Sequence, residues 1–242
     1  MSSKRDYRRL VPSQAGWVPF TVRYRESDLW IQADLDLRQK AETLLLEARL
    51  QVENYAQENP RFLSSHQPLP EDGVAPEAVR WMLSAAMSAG VGPMAAVAGA
   101  IARYVGEGLL KLGCKEVVVE NGGDLFLMAN RELLVGIYAG SSPLSQRLGL
   151  KIEPRGIPLG VATSSATVGH SFSYGATDAA CVVAQDAALA DAAATALGNR
   201  VRKSSDMEPA LDWVLCLEGV LGAVLILGKA LAVKGEIQLA SL

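Results

Sequence analysis

The chain has 242 residues and a net charge of −3, with half of its residues apolar, 6% aromatic and 20% charged. That length can bury a sizeable core. The charge balance gives no footing for nucleic acid, and the one basic cluster, Lys4, Arg5, Arg8 and Arg9, reads as a solvated N-terminal arm over about residues 1–16.

Residues 11–20 are too short and interrupted for a signal core. Residues 17–24 and 29–35 alternate as strands, joined through 25–28 as a hairpin. Residues 38–58 carry Ala41, Leu44, Leu45, Ala48, Val52, Tyr55 and Ala56 at helical spacing, which predicts an amphipathic helix ended by Pro60. Residues 61–76 are proline-rich and read as a loop. A helix is expected over 77–89, with Gly90 as its stop. The Val91-Gly92-Pro93 turn then opens a second helix over 94–112, inside which Ala95, Ala98, Gly99 and Ala102 form a small-residue stripe.

That stripe suits close packing. A Gly/Pro turn opening a helix also leaves N–H groups able to hold a phosphate, so Gly92, Met94 and Gly99 are candidate cofactor contacts. Asn121-Gly122 between the apolar runs 117–119 and 125–128 predicts a hairpin. The hairpin accounts for Asn121 and Gly122 but not for the flanking Glu120 and Asp124. Further strands are expected over 133–139, 148–152, 159–162 and 176–184. The last should be buried on both faces, with Ala179, Cys181 and Val183 on one and Ala180 and Val182 on the other.

Asp186 is a predicted N-cap and Gly198 a predicted stop for the helix between them. On it Asp191 and Thr195, four apart, share a face. They read either as a solvated polar face or as hard-cation ligands suited to Mg²⁺. Upstream, Thr163, Ser164, Ser165 and Thr167 form a hydroxyl-rich turn, or an anion cradle, beside His170. A short helix over 207–214 and a hairpin of 220–227 with 230–239 close the chain. The run 214–228 is broken by Glu218 and glycines and is too short to span a bilayer. Cys114, Cys181 and Cys216 are widely spaced without a C-x-x-C, so buried, reduced thiols are expected. Runs of strands bracketing helices predict an α+β fold with mainly antiparallel sheet, in one domain spanning 1–242. The expected location is cytoplasmic.

Three runs in order, MAAVAGAIA (94–102), VVVENGGDL (117–125) and ATDAACVVAQDAALADAAATAL (176–197), resemble the ApbE-like superfamily. Its best-known members are FAD:protein FMN transferases. VGPMAAVAGAIA, VENGGD, AGSSPLS and TSSATVGHSFSYG resemble a short, uncharacterised branch of it. The resemblance implies a T-fold-like architecture with paired ββααββ modules, helices on one side of the sheets, FAD in a cleft and Mg²⁺ near its pyrophosphate. The transferases' D-A-x-x-T motif falls on Asp191, Ala192 and Thr195, giving Asp191 and Thr195 the metal role. Their N-A-G-G-D segment falls on Glu120, Asn121, Gly122, Gly123 and Asp124, as part of the flavin cleft, and a motif histidine falls near His170.

Two departures stand out. Ala98 occupies the position of the transferases' lysine in G-I-A-K-G, and Ser171, Phe172, Ser173, Tyr174 and Gly175 replace D-P-x-T-G. Tyr104, Phe172 and Tyr174 are the aromatic candidates for stacking on a flavin. The reading is therefore a protein binding FAD or a related phosphate-bearing cofactor with Mg²⁺, transferring a flavin or nucleotidyl group with His170 or Asp124 as acid or base. The alternative is a non-catalytic ligand-binding or assembly protein. The partners expected are a small-molecule cofactor and further copies of the chain, with no nucleic acid and no membrane.

Overall fold

The computed structural model describes residues 16–165 and 175–242. Strands β1 (Val18–Tyr24) and β2 (Ser27–Ala33) form a hairpin whose turn is only Arg25-Glu26, two residues shorter than the pattern suggested, with Arg25 left-handed at φ 51°. Then come α1 (Arg38–Glu58), the single turn α2 (Arg61–Ser64) within the expected loop, and α3 (Glu77–Ala89). A 3₁₀ turn, Pro93–Ala96, leads into α4 (Val97–Lys111). The expected helix over 94–112 is thus tighter in its first turn.

Strands β3 (Val117–Asn121) and β4 (Asp124–Met128) follow, then β5 (Leu133–Gly136), β6 (Leu148–Ile152), β7 (Leu159–Ser164) and β8 (Ala179–Ala184). Helices α5 (Ala187–Asn199) and α6 (Met207–Leu215) precede β9 (Val220–Leu227), β10 (Ala230–Gly235) and β11 (Gln238–Ser241).

Eight strands make one sheet in the order β1-β2-β3-β4-β7-β8-β9-β10, and every neighbouring pair is antiparallel. A second sheet runs β11-β6-β5. The expected final strand over 230–239 therefore divides. Gly235, left-handed at φ 85°, lies so close to β9 that a Cβ would come within 2.4 Å of the Leu221 carbonyl oxygen. The bend there sends β11 away from β9 to pair with β6.

The large sheet sorts its side chains by strand alternation. Phe20, Leu29, Ile31, Val117, Val119 and Phe126 face α1 and α4. Ala162, Ala180 and Val182 face α5 and α6. Val118, Leu127, Val161, Cys181, Val183 and Ile226 point the other way, against Leu133, Leu150 and Ile152 of the small sheet. The result is three layers: helices, large sheet, small sheet. Each fully buried Leu, Ile or Phe in these layers contributes about 1.5–3 kcal/mol relative to exposure. Strand β8 is buried along its whole length, and its two faces divide as the pattern predicts. Cys114 and Cys181 are buried, but Cys216 is exposed at the end of α6, against expectation. Among the described residues no single helix is long and apolar enough to cross a membrane. Helices α3 and α4 reach that standard only as a pair bent by 106°, and most of their apolar residues are buried in the core.

Candidate functional site

Helix α5 is central to the helical layer. Leu189, Ala190, Ala193, Ala194 and Leu197 pack on the sheet, while Ala188, Ala192 and Ala196 pack in the cluster built by α3. The reading of α5 as a half-exposed helix with an ordinary solvated face is overturned: the helix is buried on two sides. Within it only Asp191, Thr195 and Asn199 are half-buried rather than buried. Asp186 caps α5 as predicted, its Oδ1 accepting the Leu189 N–H at 2.8 Å. Gly198 does not stop the helix, which runs on to Asn199. Space does not demand glycine at 198 either, since a Cβ there would make ordinary contacts, 3.4 Å from the Thr177 hydroxyl and 3.5 Å from Ala180.

Asp191 reaches across to α4. Its Oδ2 accepts the Gly99 N–H at 2.9 Å, and the Ala98 N–H also donates to it. These are among the N–H groups that the first turn of α4 cannot pair within itself. Gly99 is indispensable to this approach, because a Cβ there would fall 2.1 Å from the Ala187 carbonyl oxygen and 2.9 Å from the Asp191 Cβ. Gly160 on β7 clears the other side of Ala187, with 2.4 Å between its notional Cβ and the Ala187 Cα.

Asp124, at the tip of the β3–β4 hairpin, completes an acidic group. Burial raises its carboxyl well above the ordinary range, the Asp191 and Glu120 charges add to the rise, and a Thr163 backbone N–H pulls against them. Burial likewise pushes Asp191 up to about 7, despite the two backbone donors. Two carboxylates that resist ionisation together form a site that a cation stabilises by favouring the charged forms. Among the described residues no group of three or more His, Cys, Asp or Glu is arranged to hold a metal. A cation at Asp191 and Thr195 would complete its shell with water or ligand oxygens, as Mg²⁺ commonly does.

The hairpin turn itself is Gly122-Gly123, both left-handed (φ 73° and 112°), with Asn121 paired opposite Asp124. The Glu120 Oε1 accepts the Gly123 N–H at 2.8 Å and fixes the turn. Asn121 donates from Nδ2 to the Ala98 carbonyl at 3.1 Å, tying the hairpin to the start of α4.

Beyond that junction opens a cleft of about 510 Å³, within the range of small-molecule sites. Its apolar lining is Val52, Ala56, Leu63, Met94, Val97 and Ile101. Ala98 and Asn121 line its inner end, so the cleft and the acidic group share the first turn of α4. At its mouth, Arg49 is held by Glu53 at 2.9 Å and Glu26 at 2.8 Å, and Arg25 by Glu53 at 2.7 Å.

Of the predicted residues, the structure brings together Gly99, Glu120, Asn121, Gly122, Gly123, Asp124, Thr163 and Asp191, and places Met94 in the cleft. Thr195 lies one turn beyond Asp191 on the same helix face. Ser164 and Ser165 are half-buried at the end of β7, and the Ser164 hydroxyl lies beside Gly198. Gly92 has a packing role: a Cβ there would sit 1.8 Å from the Ser65 carbonyl oxygen. Thr167 and His170 lie outside the described residues, as do Phe172 and Tyr174. Tyr104 is not in the cleft; its ring packs against Trp81 with centroids 6.3 Å apart. Sequence reasoning missed Arg25, Ser27, Arg49 and Glu53 at the cleft mouth. The Arg49–Glu53 spacing of four on one helix was the available signal.

A family model described as AbpE bacteria matches residues 8–238. A UPF0280 protein of Methanocella arvoryzae is 42% identical over 219 residues, covering 90% of this chain and 89% of its own length. A UPF0280 protein of Methanocaldococcus jannaschii is 39% identical over 227 residues, covering 91% and 92%. Among solved structures, the apo flavinyl transferase ApbE of Pseudomonas stutzeri superposes with a TM-score of 0.61 at 17% identity, over 90% of this chain and 94% of that one. The ApbE protein of Thermotoga maritima gives 0.60 at 12% identity, over 91% and 97%. At such identities the likeness establishes the shared mixed helix and antiparallel-sheet fold.

Proposed function

Because the chain belongs to the family described as AbpE bacteria, within the ApbE-like superfamily, we propose that it binds a flavin nucleotide, FAD, together with Mg²⁺. The observation that carries this reading is Asp191. It is a carboxylate on a buried helix, raised to about 7 beside Asp124, and it is bonded to the first turn of α4, whose Val97 and Ala98 line the neighbouring cleft. We read the two runs of four strands, β1–β4 and β7–β10, each with helices inserted after its second strand, as paired ββααββ modules of a T-fold.

In this reading Asp191 and Thr195 hold Mg²⁺, and Asp124 stands beside them. When bound there, Mg²⁺ supplies neutralising charge to a pyrophosphate. The residues of the chain do the rest. The cleft lining of Val52, Met94, Val97 and Ile101 buries the apolar face of the ligand and excludes water. The Arg49–Glu53–Glu26 network fixes polar groups at the mouth. Gly122 and Gly123 let the hairpin backbone approach without a side chain between.

Transfer would break the phosphoanhydride between the two phosphates and join the FMN phosphate to an acceptor hydroxyl, releasing AMP. The hydroxyl proton would pass to Asp124 or His170 as base. A non-catalytic flavin-binding role is favoured by one observation: Ala98 places a methyl group, not an amine, at the inner end of the cleft.

Calorimetric titration with FAD, with and without Mg²⁺, tests the binding reading. Magnesium-dependent binding that is lost in Asp191→Ala supports it, and absence of binding under both conditions refutes it. Chromatographic detection of AMP and of FMN joined to a hydroxyl acceptor separates transfer from binding alone.

A further inference from the structure

Helices α4 and α5 hold one another at two points, and each link runs in the opposite direction. From α5, Asp191 accepts the Gly99 N–H in the first turn of α4. From α4, Arg103 reaches back to Asp186, the residue that caps α5. The Asp186 Oδ2 pairs with Arg103 while its Oδ1 accepts the Leu189 N–H at 2.8 Å. The guanidinium is itself fixed on two further sides. Glu107, one turn along α4, accepts from its Nε at 2.7 Å, and the Trp81 ring of α3 lies 3.9 Å beneath it. Arg103 is only part-exposed, at 24% of its side chain, so these contacts are made in a partly desolvated setting where each is worth more than at the surface.

The spacing gives the pair its effect. Gly99 and Arg103 are four residues apart on α4, about 6 Å along its axis, and Asp186 and Asp191 are five apart on α5, about 7.5 Å. Packing on the sheet and on α3 sets the crossing of the two helices, and two links at that separation stiffen it against small rotations. With no side chain at Gly99 to hold the backbones apart, the crossing has one setting. That setting decides where the Asp191 carboxylate stands relative to Asp124, whose hairpin is tied to the same turn of α4 through Asn121 and Ala98.

We infer that Arg103 is a positioning residue: by clamping the Asp186 cap of α5 to α4, it sets the Asp191 carboxylate for cation binding. The inference rests on the reading of Asp191 as a Mg²⁺ ligand. Supporting groups behind a metal ligand typically govern about 10–100-fold in metal affinity.

The test is FAD binding followed by flavin fluorescence while Mg²⁺ is varied, with the half-saturating Mg²⁺ concentration as readout, at a temperature where every variant remains folded by circular dichroism. Arg103→Met should raise that concentration about tenfold or more. Asp186→Asn keeps an oxygen for the cap but loses the ion pair, and should do the same. Because both variants cut one link, the double variant should be no worse than either single. Arg103→Lys, which restores the charge, should recover part of the loss. Glu116→Gln, on the opposite side of the sheet, is the control for general destabilisation and should leave the readout unchanged.

Unchanged Mg²⁺ dependence in Arg103→Met would overturn the inference, as would fully additive losses or an equal loss in Glu116→Gln. Those outcomes leave the binding site itself standing. Absence of Mg²⁺-dependent FAD binding in the unaltered protein would instead remove the site, and the positioning role with it.

Discussion

Glu116 and Asp191 are both carboxylates lodged in the fold, and the protein treats them oppositely. Burial would raise Glu116. Donation by Arg131 and Trp17 outweighs that, the Asn130 N–H adds to it, and the carboxyl is held at about 2. Among the described residues Asp191 has only backbone N–H donors; it faces a second carboxylate in Asp124 and is raised to about 7. One site is closed and satisfied by the chain itself, while the other is left short of positive charge. A carboxylate with a complete set of donors needs nothing further. A carboxylate left costly to ionise marks where a cationic partner contributes free energy.

The comparison can be broken by mutation, and the largest effect is expected at Asp191. Asp191→Ala should weaken Mg²⁺-dependent FAD binding by at least 100-fold, measured by calorimetry, whereas Glu116→Gln should leave it within about twofold. Next in size is Gly99→Ala. The added methyl would meet the Ala187 carbonyl at 2.1 Å, backbone that cannot move aside as a flexible side chain would. A loss of about 3 kcal/mol in unfolding free energy is expected, read from denaturant melts.

The third effect sets the two carboxylates directly against each other. Without metal at pH 8, Glu116→Gln should lower stability by about 1–3 kcal/mol, since it removes charged hydrogen bonds. Asp191→Asn should instead hold or raise it, by up to about 1 kcal/mol, because an uncompensated charge is lost. Thermal melts of both variants decide this, and a clear loss in both would erase the distinction.

A pH dependence follows from the Glu116 side. Its folded carboxyl, at about 2, lies below the ordinary value of 4.5. Its contribution is therefore complete above pH 4.5 and fades as pH falls towards 2. Acid titration should show Glu116→Gln losing its deficit over that window. The smallest effect is Asn121→Ala, about 1 kcal/mol from one hydrogen bond to Ala98, with weakened FAD binding as the hairpin loosens.

Much of this was legible in the sequence because local chemistry sets it. Asn121-Gly122 marked the hairpin, the spacing of Leu45, Val52 and Ala56 marked α1, and Asp186 marked the start of α5. The burial of α5 was not legible. Alanine fits a sheet, a second helix or solvent equally, so the alanines that surround Asp191 carry no facing signal. The break at Gly235 was hidden for another reason: an apolar run on both sides of a glycine reads as one strand until the β9 backbone is known to press against it. The link from Arg103 to Asp186 spans 83 residues and has no local pattern at all.

The central claim is that the face of α5 bearing Asp191 and Thr195 is a cation site served by the neighbouring cleft. Crystals grown with FAD and Mn²⁺, measured for anomalous scattering at the manganese edge, test it most directly. The account predicts a peak in contact with the Asp191 carboxylate and the Thr195 hydroxyl, with flavin density in the cleft lined by Met94, Val97 and Asn121. Flavin bound without a peak at Asp191, or manganese bound elsewhere, would contradict it.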